Sequence, residues 1–484
     1  MKAKKSGWAQ WLGLSVLVLG LVIGGISCNR KARHQKQLEQ TAREGFFFGY
    51  PLVLVDESAK HAVALSRTKR NQSKVPMYQF FHIRDASSSP FRDVLAFDND
   101  MLYSLAWLNL APDPVVLSVP AAGNRYYVGG LLEAWSDIFS VIGTRATGNK
   151  AQTFLIAGPQ WQGDTPKGLT LLRSRTNFVW LPIRIYANHN KNRKEVVAFQ
   201  NALKLTPLTA WKKKQSGSAF FTVDTKADLK QSPRDAVFAM TAEEYYRTLC
   251  SLMADNPPSP NDEPMVSRLR ALGVVPTKNF KFADLPAETQ EALSASVKNA
   301  KSFLLSQKNA FTPVGRLVNG WTIPSGSSSG GTDYYRKAYE AFVGMSFLPP
   351  QDAVFATSYE DNAGQQLMGE NSYKLTFPKG QLPPVNAFWS LTMYQLPDMA
   401  FSANRYRRYS ISSSTNTKVN PDGSVTIYLQ PKAPGKNRDT NWLPSTPGTY
   451  QLTLRMYWPK AEVLEGRWSP PVIERVERER MAQF

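Results

Sequence analysis

Cysteine and histidine are scarce in this 484-residue chain, and their scarcity excludes several kinds of protein at once. The two cysteines stand in unlike settings, Cys28 at the end of an apolar segment and Cys250 inside a helical pattern, so a disulfide framework is not expected. The four histidines, His34, His61, His82 and His189, are too scattered for a local metal-ligand pattern, and no HExxH or CxxC spacing occurs. No metal and no organic cofactor is therefore expected. A nucleophile elbow of the α/β-hydrolase type is missing. The loop Ser325-Gly326-Ser327-Ser328-Ser329-Gly330-Gly331 lacks the Lys-Ser/Thr ending of a phosphate-cradling loop. Acidic residues are also in short supply: 38 Asp and Glu against 58 Lys and Arg leave a formal charge of +20. Such a field favours polyanions. Nucleic acid is not an expected partner, because no finger, P-loop or helix-turn-helix pattern accompanies the charge.

What is present describes a folded protein. Hydrophobic residues make up 42% and aromatics 12%, with only 20% charged, whereas disordered chains are poorer in aromatics and richer in charge. The length favours two or three domains over one core. At the N-terminus Lys2, Lys4 and Lys5 precede an uncharged run from Gly7 to Ser27, followed by Cys28, Asn29 and the basic Arg30, Lys31 and Arg33. That is the layout of an export signal. The run is also long enough to cross a bilayer, since roughly 20 apolar helical residues span about 30 Å. Gly25-Ile26-Ser27-Cys28 resembles a bacterial lipoprotein processing site, with Cys28 the residue to be lipidated, although Gly25 and Ile26 depart from its usual residues. An uncleaved signal anchor is the other reading. Either one makes the membrane a partner and places the body on its far side. A polar, basic stalk follows to about residue 44.

The body alternates in character. Phe46-Phe47-Phe48 through Val55 reads as a packed helix, and the polar stretch with Arg67, Lys69, Arg70 and Lys74 as an exposed loop. Between about residues 75 and 187 short apolar runs recur between turn residues, as in Val115–Val119, Tyr126–Val128 and Thr153–Ala157, which is the pattern of a β-sandwich. Thr241-Ala242-Glu243-Glu244 is a capping box, and Tyr246, Cys250 and Met253 fall on one face of the helix it opens, so Cys250 is read as a core residue. Helical stretches at 265–272 and 287–305 complete a module. From Ala353 period-two runs return at Tyr373–Phe377, Val425–Leu429 and Gln451–Tyr457, consistent with a second β domain of jelly-roll type. The boundaries read from these changes are 1–28 for the signal or anchor, 29–44 for the stalk and 45–235 for the N-terminal sandwich. A helical module at 236–310 and a jelly-roll-like domain at 311–484 complete the order.

Several local strings carry a family likeness. Gly49–Leu54, Phe91–Val94, Asn99–Ser104, Arg125-Tyr126-Tyr127 and Gly143–Gly148 resemble the bacterial domain of unknown function numbered 1254. Ala387–Tyr394, Arg408–Ile411, Asp422-Gly423-Ser424, Asn441–Pro444 and Arg455–Pro459 resemble its usual partner, numbered 1214. The resemblance spans nearly all of the chain beyond the anchor, with departures such as Met101, where the family usually has threonine. It implies a mainly β, multidomain fold: an immunoglobulin-like sandwich, a helical insert and a jelly roll. The location expected from the N-terminal segment is the bacterial cell envelope, with the body periplasmic or otherwise extracytoplasmic.

The densest polar and aromatic stretch runs from His82 to Asn177. Arg84, Arg125, Arg145 and Arg175 supply forks suited to carboxylate, phosphate or sulfate, while Tyr103, Tyr126, Trp135 and Trp180, with Asn177, suit sugar rings or flat ligands. The leading expectation is an envelope-anchored protein that binds a polar or anionic ligand, such as a glycan, lipid headgroup or small metabolite. Its cleft would gather at least three of these arginines with an aromatic. Mutual pairing of these charges as braces of loops is the competing reading of each residue. A cofactor-independent enzyme on envelope glycan or lipid would use His82 as base with Asp85 or Asp100 to orient it. A scaffold for envelope protein contacts is the third reading. Trp389, Asn404, Arg408, Tyr409, Asn441 and Trp442 form a secondary set, in which Asn441–Pro444 reads as a packed corner.

Overall fold

A helix that is apolar on every side must be buried on every side, and residues 46–55 meet that condition. The computed structural model describes residues 8–70, 78–84, 98–188, 192–215, 230–306, 315–324, 331–344, 348–397, 399–401, 404–435 and 437–476; side chains are described from residue 31 onward, except at 65–70 and 305. Helix α1 runs from Trp8 to Arg70. Within it Phe46, Phe47, Phe48, Tyr50, Leu52, Val53, Leu54 and Val55 are all buried. The side chains of the apolar run at 7–27, of Cys28, and of Asp85 and His189 lie outside the described residues. Among the described residues no helix is long and apolar enough to cross a membrane.

Two sequence expectations change at α1. The stretch after Val55, expected to be a loop, remains helical to Arg70, because Ala59, Ala62, Val63 and Ala64 continue the buried surface and carry Ser58 and His61 inside with them. The residues expected to form a stalk are helical as well, and burial begins within them at Thr41 and Ala42.

The first sandwich is built from β1 (Phe81–Ile83), β2 (Met101–Asn109), β3 (Val115–Val119), β4 (Tyr127–Glu133), β5 (Ile138–Gly143), β6 (Gln152–Ala157), β7 (Thr170–Arg173), β8 (Phe178–Tyr186) and β9 (Lys204–Pro207). One sheet has the order β1-β2-β8-β4-β5 and the other β7-β6-β3-β9. Val115, Leu117, Val119, Phe154 and Ile156 face the interior, while Val116 and Leu155 on the alternate positions join a small outer cluster. Helices α2 (Arg193–Ala202) and α3 (Leu208–Lys212) flank β9.

The helical segment follows: α4 (Pro233–Ala239), α5 (Ala242–Asp255), α6 (Glu263–Ala271) and α7 (Ala287–Ser306). The capping box at Thr241 and Glu244 forms as expected. These helices pack on α1 together with α8 (Tyr334–Gly344). The close approach depends on Gly45 and Gly49, one turn apart on α1, since a Cβ at Gly45 would lie 2.5 Å from Leu269 Cδ2 and one at Gly49 2.6 Å from Leu249 Cδ2. Cys250 is buried in this core, and burial pushes its thiol up to about 12.

The second sandwich contains β10 (Gly315–Val318), β11 (Trp321–Pro324), β12 (Ala353–Ser358), β13 (Tyr373–Phe377), β14 (Val385–Gln395), β15 (Ala400–Phe401), β16 (Ser410–Ser412), β17 (Val425–Gln430), β18 (Trp442–Pro444), β19 (Tyr450–Pro459) and β20 (Ile473–Arg475), with helix α9 (Ala461–Leu464) before the last strand. A seven-stranded sheet in the order β10-β11-β12-β19-β14-β15, with β16 also on β14, packs on a four-stranded sheet β18-β17-β13-β20. Their shared core includes Leu375, Ile427, Leu391, Met393, Leu452 and Leu454. The chain is thus a mainly β, multidomain protein with a helical segment between its β regions, and the helical segment is threaded by α1.

Candidate functional site

Strand alternation leaves the large sheet of the second sandwich with two unlike faces. The apolar face of β14, β19 and β12 fills the sandwich core. On the other face, register aligns Phe355, Arg455, Ser390 and Ser412 in one row, and Thr357, Thr453, Thr392 and Ser410 in the next. Polar side chains on one sheet face usually meet water. Here Ser390, Thr392, Ser410, Ser412, Gln451, Thr453 and Arg455 are all buried, and residues 98–100 before the first sandwich's β2 reach Ser390, Ser410 and Arg455.

The covering side brings two carboxylates from the turn before β2, and Tyr103 of β2 beside Arg184 of β8. Asp98 Oδ1 accepts the Asp100 backbone N–H at 2.8 Å, and its Oδ2 accepts the Tyr457 hydroxyl at 2.8 Å. Asp98 N–H donates to the Tyr103 hydroxyl at 3.0 Å. Asp100 Oδ2 accepts from Ser390 Oγ and, at 3.0 Å, from Ser410 Oγ; Asn99 Nδ2 donates to the same Ser410 Oγ at 3.1 Å. Arg455 donates to Thr392 Oγ1 at 3.2 Å, and its Nε lies 3.9 Å from Asp98 Oδ2. The Arg455 guanidinium also stands 5.3 Å from the ring centres of Phe355 and Tyr394, with Arg184 5.9 Å from the Phe355 ring.

Two aspartates and two arginines are therefore assembled in one buried layer, with residues from both sandwiches. Burial opposes the charge on Arg455, yet Tyr394 and Asp98 hold its pKa above the ordinary arginine value. Burial, and then Asp98, push the Tyr103 hydroxyl up to about 12. Tyr126, Tyr394 and Tyr457 are likewise raised by burial. All four phenols stay protonated at neutral pH; Tyr126 and Tyr457 donate, to the Asp352 carbonyl and to Asp98, whereas the Tyr103 oxygen accepts the Asp98 N–H. Gln451 Nε2 donates to Thr453 Oγ1, whereas its buried Oε1 has no hydrogen-bond partner among the described residues. A second tie joins the domains beside this layer: Arg145 grips the buried Asp352 through Nε and Nη2, at 2.6 and 2.8 Å, and the Tyr126 hydroxyl donates to the Asp352 carbonyl at 3.3 Å.

Of the residues singled out in the sequence, Asp100, Tyr103, Tyr126 and Arg145 meet at this junction. The four expected arginines do not converge. Arg84 donates to Asn201, Arg125 stands at the turn before β4, Arg145 is taken by Asp352 and Arg175 binds Glu133. His82 is half-buried, 2.9 Å from Ser104 Oγ and stacked on Phe80. Trp135 and Asn177 belong to another joint, donating to the Asn256 and Asp255 carbonyls after α5. Trp180 is buried in the first core against Trp107. In the secondary set Trp389 fills the second core and Tyr409 stacks on Phe401. Asn404 and Arg408 shape a loop, and Asn441 and Trp442 are buried in a corner with backbone partners.

Sequence reading missed Arg184, Arg455, Ser390, Thr392 and Ser410. The signal for three of them was the alternation Ser390-x-Thr392-x-Tyr394 and Gln451-x-Thr453-x-Arg455-x-Tyr457, in which every second residue is polar or aromatic. It fits a solvent-facing sheet equally well.

The joint at Arg175 carries a pH dependence of its own. Glu133 is fully buried, and Arg175 binds it together with Asp137, which Lys337 holds at 2.9 Å. Burial raises the Glu133 carboxyl from 4.5 to about 7, opposed by Arg175 and reinforced by Asp137. A carboxyl that binds its proton more tightly in the folded chain contributes stability below the unfolded pKa and loses it as pH rises through the folded one. Between pH 4.5 and 7.5 the chain is expected to lose up to about 3 kcal/mol relative to a Glu133→Gln variant. Urea denaturation of both across that window checks it; parallel profiles would refute the assignment.

The architecture defines a two-sandwich protein with a polar junction. The family described as "Protein of unknown function (DUF1254)" matches residues 77–207, and "Protein of unknown function (DUF1214)" matches residues 352–461. The chain carries both, in that order, and Asp98 to Arg184 and Phe355 to Tyr457 fall within them. A crystal structure of the VPA0106 protein from Vibrio parahaemolyticus is similar at TM-score 0.67 and 23% identity, over 91% of this chain and 100% of that one. A crystal structure of an uncharacterised protein from Burkholderia cenocepacia matches at TM-score 0.42 and 12% identity, over 93% of this chain and 97% of that one. No curated protein matches the chain.

Proposed function

We propose that this chain binds a polar ligand at the junction of its two sandwiches, and that its N-terminal segment holds it in the bacterial cell envelope with the body outside the cytoplasm. The observation that carries the binding reading is the polar face of the large sheet. Buried hydroxyl, amide and guanidinium groups are gathered there, and Gln451 Oε1 has no partner among the described residues. Burying an unsatisfied amide oxygen costs about 1–3 kcal/mol, and a ligand donor at that position would recover it. Hydroxyl, amide and arginine groups on one face suit a small hydroxylated or carboxylated molecule. The envelope reading rests on the basic-flanked apolar run at 7–27.

Thermal unfolding of the full chain in detergent, against a panel of envelope glycans, lipid headgroup esters and small carboxylates, tests the binding reading. A ligand is expected to raise Tm in proportion to the logarithm of its concentration, and Gln451→Leu is expected to abolish that rise. A panel with no stabilising compound, together with a Gln451→Leu chain at least as stable as the parent, would reduce the junction to a contact between domains.

A further inference from the structure

We propose that the loops 404–408 and 437–442, on the second sandwich, form a separate binding surface for an acidic polysaccharide. The surface is pre-shaped. Asn404 Oδ1 accepts the Tyr406 and Arg408 backbone N–H groups, both at 3.2 Å, and its Nδ2 returns a bond to the Arg408 carbonyl at 2.9 Å. Arg408 ties the two loops by donating to the Asp439 and Trp442 carbonyls. Tyr406, 47% exposed, stands edge-on to Trp442 with 4.9 Å between ring centres, and Arg405 lies 4.8 Å from the Tyr406 ring. Lys418 is fastened to Asn441 through both backbone groups, and Arg438 lies 5.5 Å from the Tyr428 ring.

Arg405, Arg407, Lys418 and Arg438 are all exposed. Some other exposed cations, Arg270, Lys278, Lys301 and Arg467 among them, pair with carboxylates. Among the described residues no carboxylate lies in ion-pair range of these four. Asp439, the acid within the loop, is half-buried with its Oδ1 turned inward. Guanidinium forks held against aromatic rings are ordered in advance for two-pronged contact with carboxylate or sulfate. Two such forks, Arg405 and Arg438, with Arg407 and Lys418 as further charges, match a polymer that repeats its charge. A bilayer fits less well: the Tyr406 ring is engaged by Arg405 and Trp442, which leaves Val419, 63% exposed, as the apolar side chain available to enter it.

The test uses the full chain in detergent, titrated with polygalacturonate, with neutral dextran and with phosphatidylglycerol vesicles, alongside an Arg405→Ala/Arg438→Ala variant. Wild type is expected to bind polygalacturonate and not dextran, with affinity falling as salt is added, and the variant to bind roughly tenfold more weakly or worse. An unchanged melting temperature excludes misfolding of the variant. Equal binding by variant and wild type overturns the proposal, as does no polygalacturonate binding by wild type. Vesicle binding that is lost in the variant, with polygalacturonate binding unchanged, overturns it in favour of a lipid surface.

Discussion

Replacing Arg455 by alanine is expected to destabilise the chain by about 3–5 kcal/mol, read as a lowered denaturation midpoint at unchanged slope. The cost does not come from the Arg455–Asp98 attraction alone, since a 3.9 Å contact is a loose pair. It comes from what is left behind. Asp98 is almost fully buried and would keep the Tyr457 hydroxyl and the Asp100 amide as partners but lose the nearby cation. Thr392 Oγ1 would lose its donor, and the Phe355 and Tyr394 rings would line a cavity. Two companion variants separate these effects. Arg455→Met fills the space without the charge and should recover the packing share. Arg455→Ala with Asp98→Asn removes both charges and should be less destabilised than the sum of the two single changes, because neighbouring sites couple. A loss below about 1 kcal/mol for Arg455→Ala would mean that the guanidinium does not hold this layer together.

An effect of similar size is expected far from the junction. Phe46 is fully buried on α1, 4.4 Å from the Tyr245 ring and 5.4 Å from the Phe47 ring, and the Tyr245 hydroxyl donates to the Phe46 carbonyl at 2.6 Å. Phe46→Ala should cost about 3–5 kcal/mol, through lost transfer energy and the cavity left among packed rings. Gly49→Ala should cost about 1–3 kcal/mol for the opposite reason, since the added methyl collides with Leu249. Lys36→Ala, on the exposed part of the same helix, should change nothing measurable. Chemical denaturation of the three variants checks the contrast, and a tolerant Phe46 would show that α1 is replaceable at the centre of the helical segment.

Local pattern made much of the fold legible. Val115–Val119 and Tyr373–Phe377 are strands over the expected residues, and the capping box at Thr241 opens α5. Period and capping are local properties, so a single sequence displays them. The end of α1 was hidden because Ser58, His61 and the charged residues around them read as polar, while the alanines between them supply the packing surface. The junction was harder. Asp98 and Arg455 lie 357 residues apart in number, and nothing local marks the arginine as buried. An alternating strand specifies two faces; it does not specify whether water or another domain lies against the polar one. The same uncertainty scattered the expected arginine cleft. Arg84, Arg145 and Arg175 are close in sequence to suitable aromatics, but each is committed to a different partner in a different part of the first sandwich.

Helix α1 has a mechanical consequence. It continues without interruption from Trp8 to Arg70, and only about ten residues, 31–40, separate its undescribed side chains from the point where it enters the core. A continuous helix of this length extends roughly 95 Å at 1.5 Å per residue. A hold on its N-terminal end would therefore reach the body through a shaft and not through a tether. Rotation or tilt imposed on the first turns would be delivered as torque to the centre of the helical segment, and would turn both sandwiches with it.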